Sequence, residues 1–231
     1  MKLSILMPVY NEEQFVHSAI KAVLDCEYPC AIELVVVDDA STDGSAEIID
    51  GVEDERLVKL RHPVNRGKGG AIRTAVAAAT GDYCVLFDAD LEYRPEDIPK
   101  LLQPALAGEA EVVYGNRTFG SHSAFSYWYV QGNRFVTTVV NVLFNSYISD
   151  YATCLKLMPT KLYRDLDIKC NGFAMDAEIT SKLLARKVRL FEVPIDYRAR
   201  SREAGKKITY RDGFKAIGVM IRIRFTYKYK A

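Results

Sequence analysis

The chain lacks any run of about 18 consecutive apolar residues, the length a helix needs to cross a bilayer, and its first residues read as a strand rather than a signal peptide. It is therefore expected neither to span a membrane nor to be secreted. Cysteine is sparse: five thiols, Cys26, Cys30, Cys84, Cys154 and Cys170, with no CxxC pair. An odd, scattered set argues against a disulfide framework, and none of the three histidines lies close to Cys26 or Cys30 to complete a zinc site. The thiols read as reduced and mostly buried, in a cytoplasmic protein. An excess of one charge is also missing, the formal net charge being +1, and nucleic acid is not an expected partner.

Glycine is absent where a dinucleotide fold needs it. The first strand-to-helix turn, Pro8-Val9-Tyr10-Asn11-Glu12-Glu13, holds none, whereas a pyrophosphate can approach that turn only over small residues. The later cluster Arg66-Gly67-Lys68-Gly69-Gly70 fits neither GxGxxG nor GxxxxGK[ST]. It reads either as a turn before a helix or as a flexible loop that places Lys68 or Arg66 near a phosphate.

What is present is a core. With 231 residues, 49% of them hydrophobic, the chain is long enough for one large domain. Short apolar runs predict strands at Leu3–Val9, Ile32–Val37, Leu57–Leu60, Tyr83–Phe87 and Glu111–Tyr114. Helical spacing intervenes at Phe15–Leu24, Ala71–Ala79 and from Pro95 to about Ala107. The alternation argues for an α/β fold, a mainly parallel central sheet flanked by helices. Phe125–Tyr147 predicts a helix with a broad apolar face, either an acceptor-side element or ordinary core. Asp176–Arg186 predicts a helix, Val188–Tyr197 a strand and Tyr210–Phe225 a terminal helix.

Acids mark the strand ends. The fourth run stops at Asp88-Ala89-Asp90-Leu91-Glu92. If the backbone stays extended, the three acids point to one side and converge on a hard divalent cation. The second strand ends in Asp38-Asp39, where a carboxylate can accept hydrogen bonds from a nucleoside. From Arg198 onward eleven Lys/Arg face only Glu203 and Asp212, so this tail carries +9 and the rest of the chain −8. Such a tail fits the phosphates of a ligand or an anionic membrane surface.

In order, Pro8-Val9-Tyr10-Asn11-Glu12, Val37 through Gly44, Asn65-Arg66-Gly67-Lys68-Gly69 and Asp88-Ala89-Asp90 resemble the inverting family 2 of nucleotide-sugar glycosyltransferases, with their GT-A fold. Gly115-Asn116-Arg117, Asp150, Thr153 to Lys156, Gly172 to Glu178, Glu192 to Ile195 and Gly205 to Ile208 are similar to the dolichyl/polyprenyl-phosphate mannose synthase branch. The resemblance implies a catalytic domain over 1–209 and a basic amphipathic helix over 210–231 that lies in a membrane interface. It implies that Pro8, Tyr10, Glu12 and Asp39 cradle the nucleoside, and that Asp88, Asp90 and Glu92 hold Mg²⁺ or Mn²⁺ against the diphosphate. Arg117, Lys156, Arg200, Arg202, Lys206 and Lys207 become candidate phosphate ligands. Two positions depart from the family pattern: Glu92 stands where glutamine is common, and Gln131 where an acceptor-phosphate arginine is expected, with Arg134 one turn along.

The implied reaction moves a hexose, mannose from GDP-mannose first and glucose from UDP-glucose second, onto a polyprenyl phosphate at the cytoplasmic face of a membrane. Attachment is expected to be peripheral, through a membrane partner subunit or as a homo-oligomer. A lipid phosphate is already ionised and needs no general base; a hydroxyl acceptor would need one, with Asp150 or Glu178 as candidates. A non-catalytic nucleotide-sugar-binding scaffold is the reading outside enzymes.

Overall fold

The computed structural model describes residues 1–123, 126–199 and 210–228. Its centre is β1 (Lys2–Val9), whose residues from Leu3 to Val9 are almost all buried because both faces of the sheet are covered. β2 (Ala31–Asp38) pairs with it in parallel, Val9 opposite Asp38, and β3 (Leu57–Arg61) lies outside β2. β4 (Tyr83–Leu86) pairs in parallel on the other side of β1, Leu6 opposite Leu86. Chain order thus reverses at β1, which places the ends of β1, β2 and β4 around one crevice.

Most of the crossover helices follow the sequence pattern, although none was expected over Ser45–Asp50. α1 (Val16–Asp25) buries Val16, Ala19, Ile20, Val23 and Leu24, and α2 (Ser45–Asp50) follows β2. α3 (Lys68–Ala78) buries Ala71, Ile72, Ala75 and Val76. A single 3₁₀ turn at Pro95–Asp97 leads into α4 (Ile98–Leu106), and β5 is Val112–Asn116. After a two-residue strand β6 (His122–Ser123) comes α5 (Tyr127–Phe144).

Two features of the main sheet differ from the sequence expectation. β7 (Lys156–Pro159) is a strand that the pattern does not announce, since its four residues open on a lysine and close on a proline; it runs antiparallel between β4 and β5. The run expected over 188–197 is two strands, β8 (Leu190–Pro194) and β9 (Tyr197–Arg198), because the chain leaves the main sheet after Pro194 and pairs with β6. The sheet order is β3-β2-β1-β4-β7-β5-β8. α6 (Thr160–Asp165) and α7 (Met175–Ala185) lie between β7 and β8. The terminal helix α8 (Tyr210–Thr226) packs Ala216, Met220 and Ile223 inward, and a second small core joins it to α5 and α7 through Val136, Val140, Ala177 and Leu184.

Candidate active site

One cavity of ≈ 830 Å³ opens at the crevice, walled by the carboxyl ends of β1, β2 and β4, by Lys68, and by parts of α5, α7 and α8. Pro8, Tyr10, Glu12, Asp39, Lys68, Asp88, Asp90, Glu92, Arg117 and Asp150 all line it. The parallel register explains the gathering: Asp39 N–H donates to Val9 O at 2.8 Å and Phe87 N–H to Leu6 O at 3.0 Å, which ties both acid-bearing loops to β1.

Asp39 is 2% exposed and held by several bonds. Its Oδ1 accepts from the Arg66 backbone N–H at 2.8 Å and lies 2.6 Å from His62 Nδ1; a carboxylate only accepts, so Nδ1 carries the proton. His62 Nε2 meets Thr74 Oγ1 at 2.8 Å, and Asn65 Nδ2 donates to the Asp39 carbonyl at 3.1 Å. Oδ2 takes part in none of these bonds. Ala40, with φ +59°, turns the chain immediately after.

The expected convergence of three acids does not occur. β4 ends at Leu86 and Leu91 takes φ +59°, so the backbone is a turn rather than an extended strand and the alternation is lost. Glu92 Oε2 instead accepts from Tyr197 Oη at 2.5 Å, while Asp90 Oδ1 accepts from the Glu92 backbone N–H at 3.1 Å. Among the described residues no three His, Cys, Asp or Glu side chains form a metal cage. Asp88 has a cation of another kind: Lys68 Nζ lies 2.8 Å from its carboxylate. Burial opposes both charges, but their mutual attraction outweighs it, holding the Asp88 carboxyl below the usual range and the Lys68 ammonium well above its own. Two carboxylates in one cavity, one already holding a positive charge, fit a divalent cation that completes its oxygen shell from a bound diphosphate.

Also on the wall, Arg117, just past β5, makes a two-point pair with Asp150, Nε to Oδ2 at 2.6 Å and Nη2 to Oδ1 at 2.8 Å. Its guanidinium lies 4.9 Å from the Tyr197 ring centre. Asn133 Nδ2 also donates to Asp150, whose backbone N–H and that of Ser149 donate to Glu192. Burial raises the Asp150 carboxyl, yet the Arg117 charge draws it below its usual value.

Other expected residues sit elsewhere. Lys156 is fully buried in β7, its ammonium bonded to Asp176 and the Thr153 carbonyl, outside the cavity wall. Glu178 accepts from the Lys169 and Cys170 backbone N–H groups and pairs with Lys182 at 2.6 Å, also away from the wall. Asp176, by contrast, lines the cavity; the sequence reading passed over it, although its place near the start of α7 two residues before Glu178 was a usable signal. Arg200, Arg202, Lys206 and Lys207 lie outside the described residues. Gln131 is not part of the wall, whereas Arg134 is.

No helix among the described residues is long and apolar enough to cross a membrane. Of the apolar side of α8 expected from sequence, Phe214, Ile221 and Phe225 are exposed beside Arg222 and Arg224, while Ile217 packs against the second small core. Trp128, Phe135 and Val142 form a similar exposed stripe on α5.

Over 223 residues the chain is 29% identical to the low-salt glycan biosynthesis hexosyltransferase Agl6 of Haloferax volcanii, covering 95% of this chain and 53% of that protein. It is 29% identical over 201 residues to the undecaprenyl-phosphate 4-deoxy-4-formamido-L-arabinose transferase of Proteus mirabilis, covering 83% and 59%. The chain thus spans between half and three-fifths of the length of these relatives. Among solved structures, glucosyl-3-phosphoglycerate synthase from Mycobacterium tuberculosis, in complex with Mn²⁺, UDP and glucosyl-3-phosphoglycerate, superposes with a TM-score of 0.72 at 19% identity over 96% of this chain and 79% of that one. That likeness shows the fold, which is GT-A. The family model for glycosyl transferase family 2 matches residues 4–167, and the chain belongs to that family of glycosyltransferases.

Proposed function

We propose that the protein transfers a hexose from a nucleoside-diphosphate sugar to a polyprenyl phosphate, working peripherally at the cytoplasmic face of a membrane. The observation that carries the reading is a cavity that brings Asp39, Asp88 and Asp90 together with Arg117 and continues to Trp128 and Tyr129 of α5. The relatives named for undecaprenyl-phosphate transfer and for hexosyl transfer support the acceptor and reaction classes.

Asp39, Pro8, Tyr10 and Glu12 hold the nucleoside. With Oδ1 of Asp39 filled by His62 and Arg66, one carboxylate oxygen is left to read the base. Uracil offers one imide N–H to it, whereas guanine offers two adjacent donors that match both oxygens. UDP-hexose therefore comes before GDP-hexose in this reading. Asp88 and Asp90 would hold Mg²⁺ or Mn²⁺, which when bound offsets the negative charge that grows on the departing diphosphate. Mn²⁺ in the structural neighbour supports this assignment. Arg117 keeps guanidinium N–H groups beyond the two given to Asp150 and orients the acceptor phosphate.

Both oxygens of Asp150 are engaged by Arg117, and its carboxyl is held below the usual range, so it is a poor proton acceptor. This suits a nucleophile that carries its own charge. Asp176 favours a second reading, a hydroxyl acceptor deprotonated by this cavity-lining carboxylate, one of whose oxygens pairs with Lys156. The deciding experiment is transfer of labelled sugar from UDP- and GDP-hexoses into organic-extractable product with a polyprenyl phosphate, with EDTA controls. Label in the organic phase is expected. Transfer to water-soluble hydroxyl acceptors alone would replace the lipid reading with the Asp176 one.

A further inference from the structure

We propose that Lys68 is a resident counter-ion that exchanges with the divalent cation. Its ammonium occupies the place on Asp88 that the cation takes, and cation binding releases it to the donor's diphosphate. The inference rests on the metal-dependent donor site proposed above.

Geometry sets the two cations in competition for one carboxylate. Nζ stands 2.8 Å from the Asp88 oxygens, while Mg²⁺ on a carboxylate sits at about 2.1 Å from its ligand oxygens. Both cannot hold the same atoms without strong repulsion. The backbone cannot resolve the conflict. Gly67 has φ +76°, and a Cβ on Gly67 or Gly69 would lie 2.5 Å from Asn171 O or 2.0 Å from Cys170 O. Gly69 N–H donates to Asn171 O at 2.7 Å, and Arg73 bonds the Cys170 carbonyl from the next turn of α3. The loop is clamped to the 170–171 segment, so only the four-carbon stem of Lys68 moves. Released from Asp88, the ammonium stays in the cavity with the Phe173 ring, now 6.0 Å away, as a neighbour.

The exchange has a thermodynamic signature. A cation binding alone must displace the lysine, but with a diphosphate present the displaced ammonium gains a new partner, so cation and nucleotide each strengthen the other. Substituting Lys68→Met keeps the stem and removes the competitor. Mn²⁺ alone should then bind at least about tenfold more tightly, while the gain from adding UDP shrinks by about the same factor.

The test is an electron paramagnetic resonance titration of Mn²⁺ against the wild type, K68M and D88N, with and without UDP. Tighter Mn²⁺ binding by K68M and loss of binding by D88N are expected. Unchanged or weaker Mn²⁺ binding by K68M, or no binding by either protein, overturns the exchange. Amine acylation of the wild type, read at Lys68 by mass spectrometry, decides it without a variant: labelling should rise with Mn²⁺ and fall when UDP follows, and labelling unmoved by Mn²⁺ overturns it. Mn²⁺-dependent binding of no nucleoside diphosphate would instead defeat the donor reading, while the Mn²⁺-only comparison still decides the exchange.

Discussion

The two ends of the cavity are built on opposite plans. At the end proposed for the donor the acids hang from the tips of a buried parallel sheet, and Asp39 is fixed by bonds with Val9, His62, Asn65 and Arg66. At the end proposed for the acceptor the wall is helical, with Trp128 80% exposed, and Phe135 on the same helix is 62% exposed. A rigid end suits a ligand that is the same in every turnover. An apolar, outward-facing end suits one that arrives attached to a surface.

The comparison is broken most severely at the donor end. Asp90→Ala is expected to lower turnover by about 10²–10³-fold or more with circular dichroism unchanged, because Asp90 lies in a turn outside the buried sheet; retained transfer would remove the metal assignment. At the junction of the two ends, Arg117→Met should cost about 3–5 kcal/mol of stability, since it strands the buried Asp150 charge. Denaturant titration reads the cost, and D150N in the same background should restore much of it. At the acceptor end, Trp128→Ser with Phe135→Ser should leave stability within about 0.5 kcal/mol and nucleotide binding intact, yet weaken sedimentation with anionic vesicles. Unchanged sedimentation would show that the exposed stripe serves something other than a membrane.

A smaller effect tests the sheet that underlies the donor end. Glu33 accepts from Lys2, Ser4 and Thr80, and although burial raises its pKa these bonds prevail and bring it down to about 2 from 4.5. A depressed folded pKa stabilises fully above the unfolded value and is lost as pH falls from about 4.5 toward 2. Glu33→Gln should flatten that part of the stability–pH profile, measured by thermal melts.

Much of the donor end was legible because its signals are local. Five short apolar runs correspond to five strands, and the parallel arrangement placed Asp39 and Asp88 on one crevice. That Asp88, Asp90 and Glu92 do not converge was not legible, because the expectation assumed an extended backbone where Leu91 turns left-handed. Lys156, read as a phosphate ligand, packs as the buried partner of Asp176; a lone lysine in an apolar run gives no sign of a carboxylate that approaches from twenty residues away. The two-point pair of Arg117 with Asp150 spans 33 positions and no periodicity announces it.

The lateness of β7 sets an order of assembly. Until residues 156–159 are in place, the β3-β2-β1-β4 half-sheet ends in an unpaired β4 edge, and β5 with β8 has nothing to join it to that half. An open edge of buried-type residues is an invitation to pair with another chain. Chains stopped before β7 should therefore aggregate rather than behave as a small stable domain, and during synthesis the donor half waits for a strand made some seventy positions after β4.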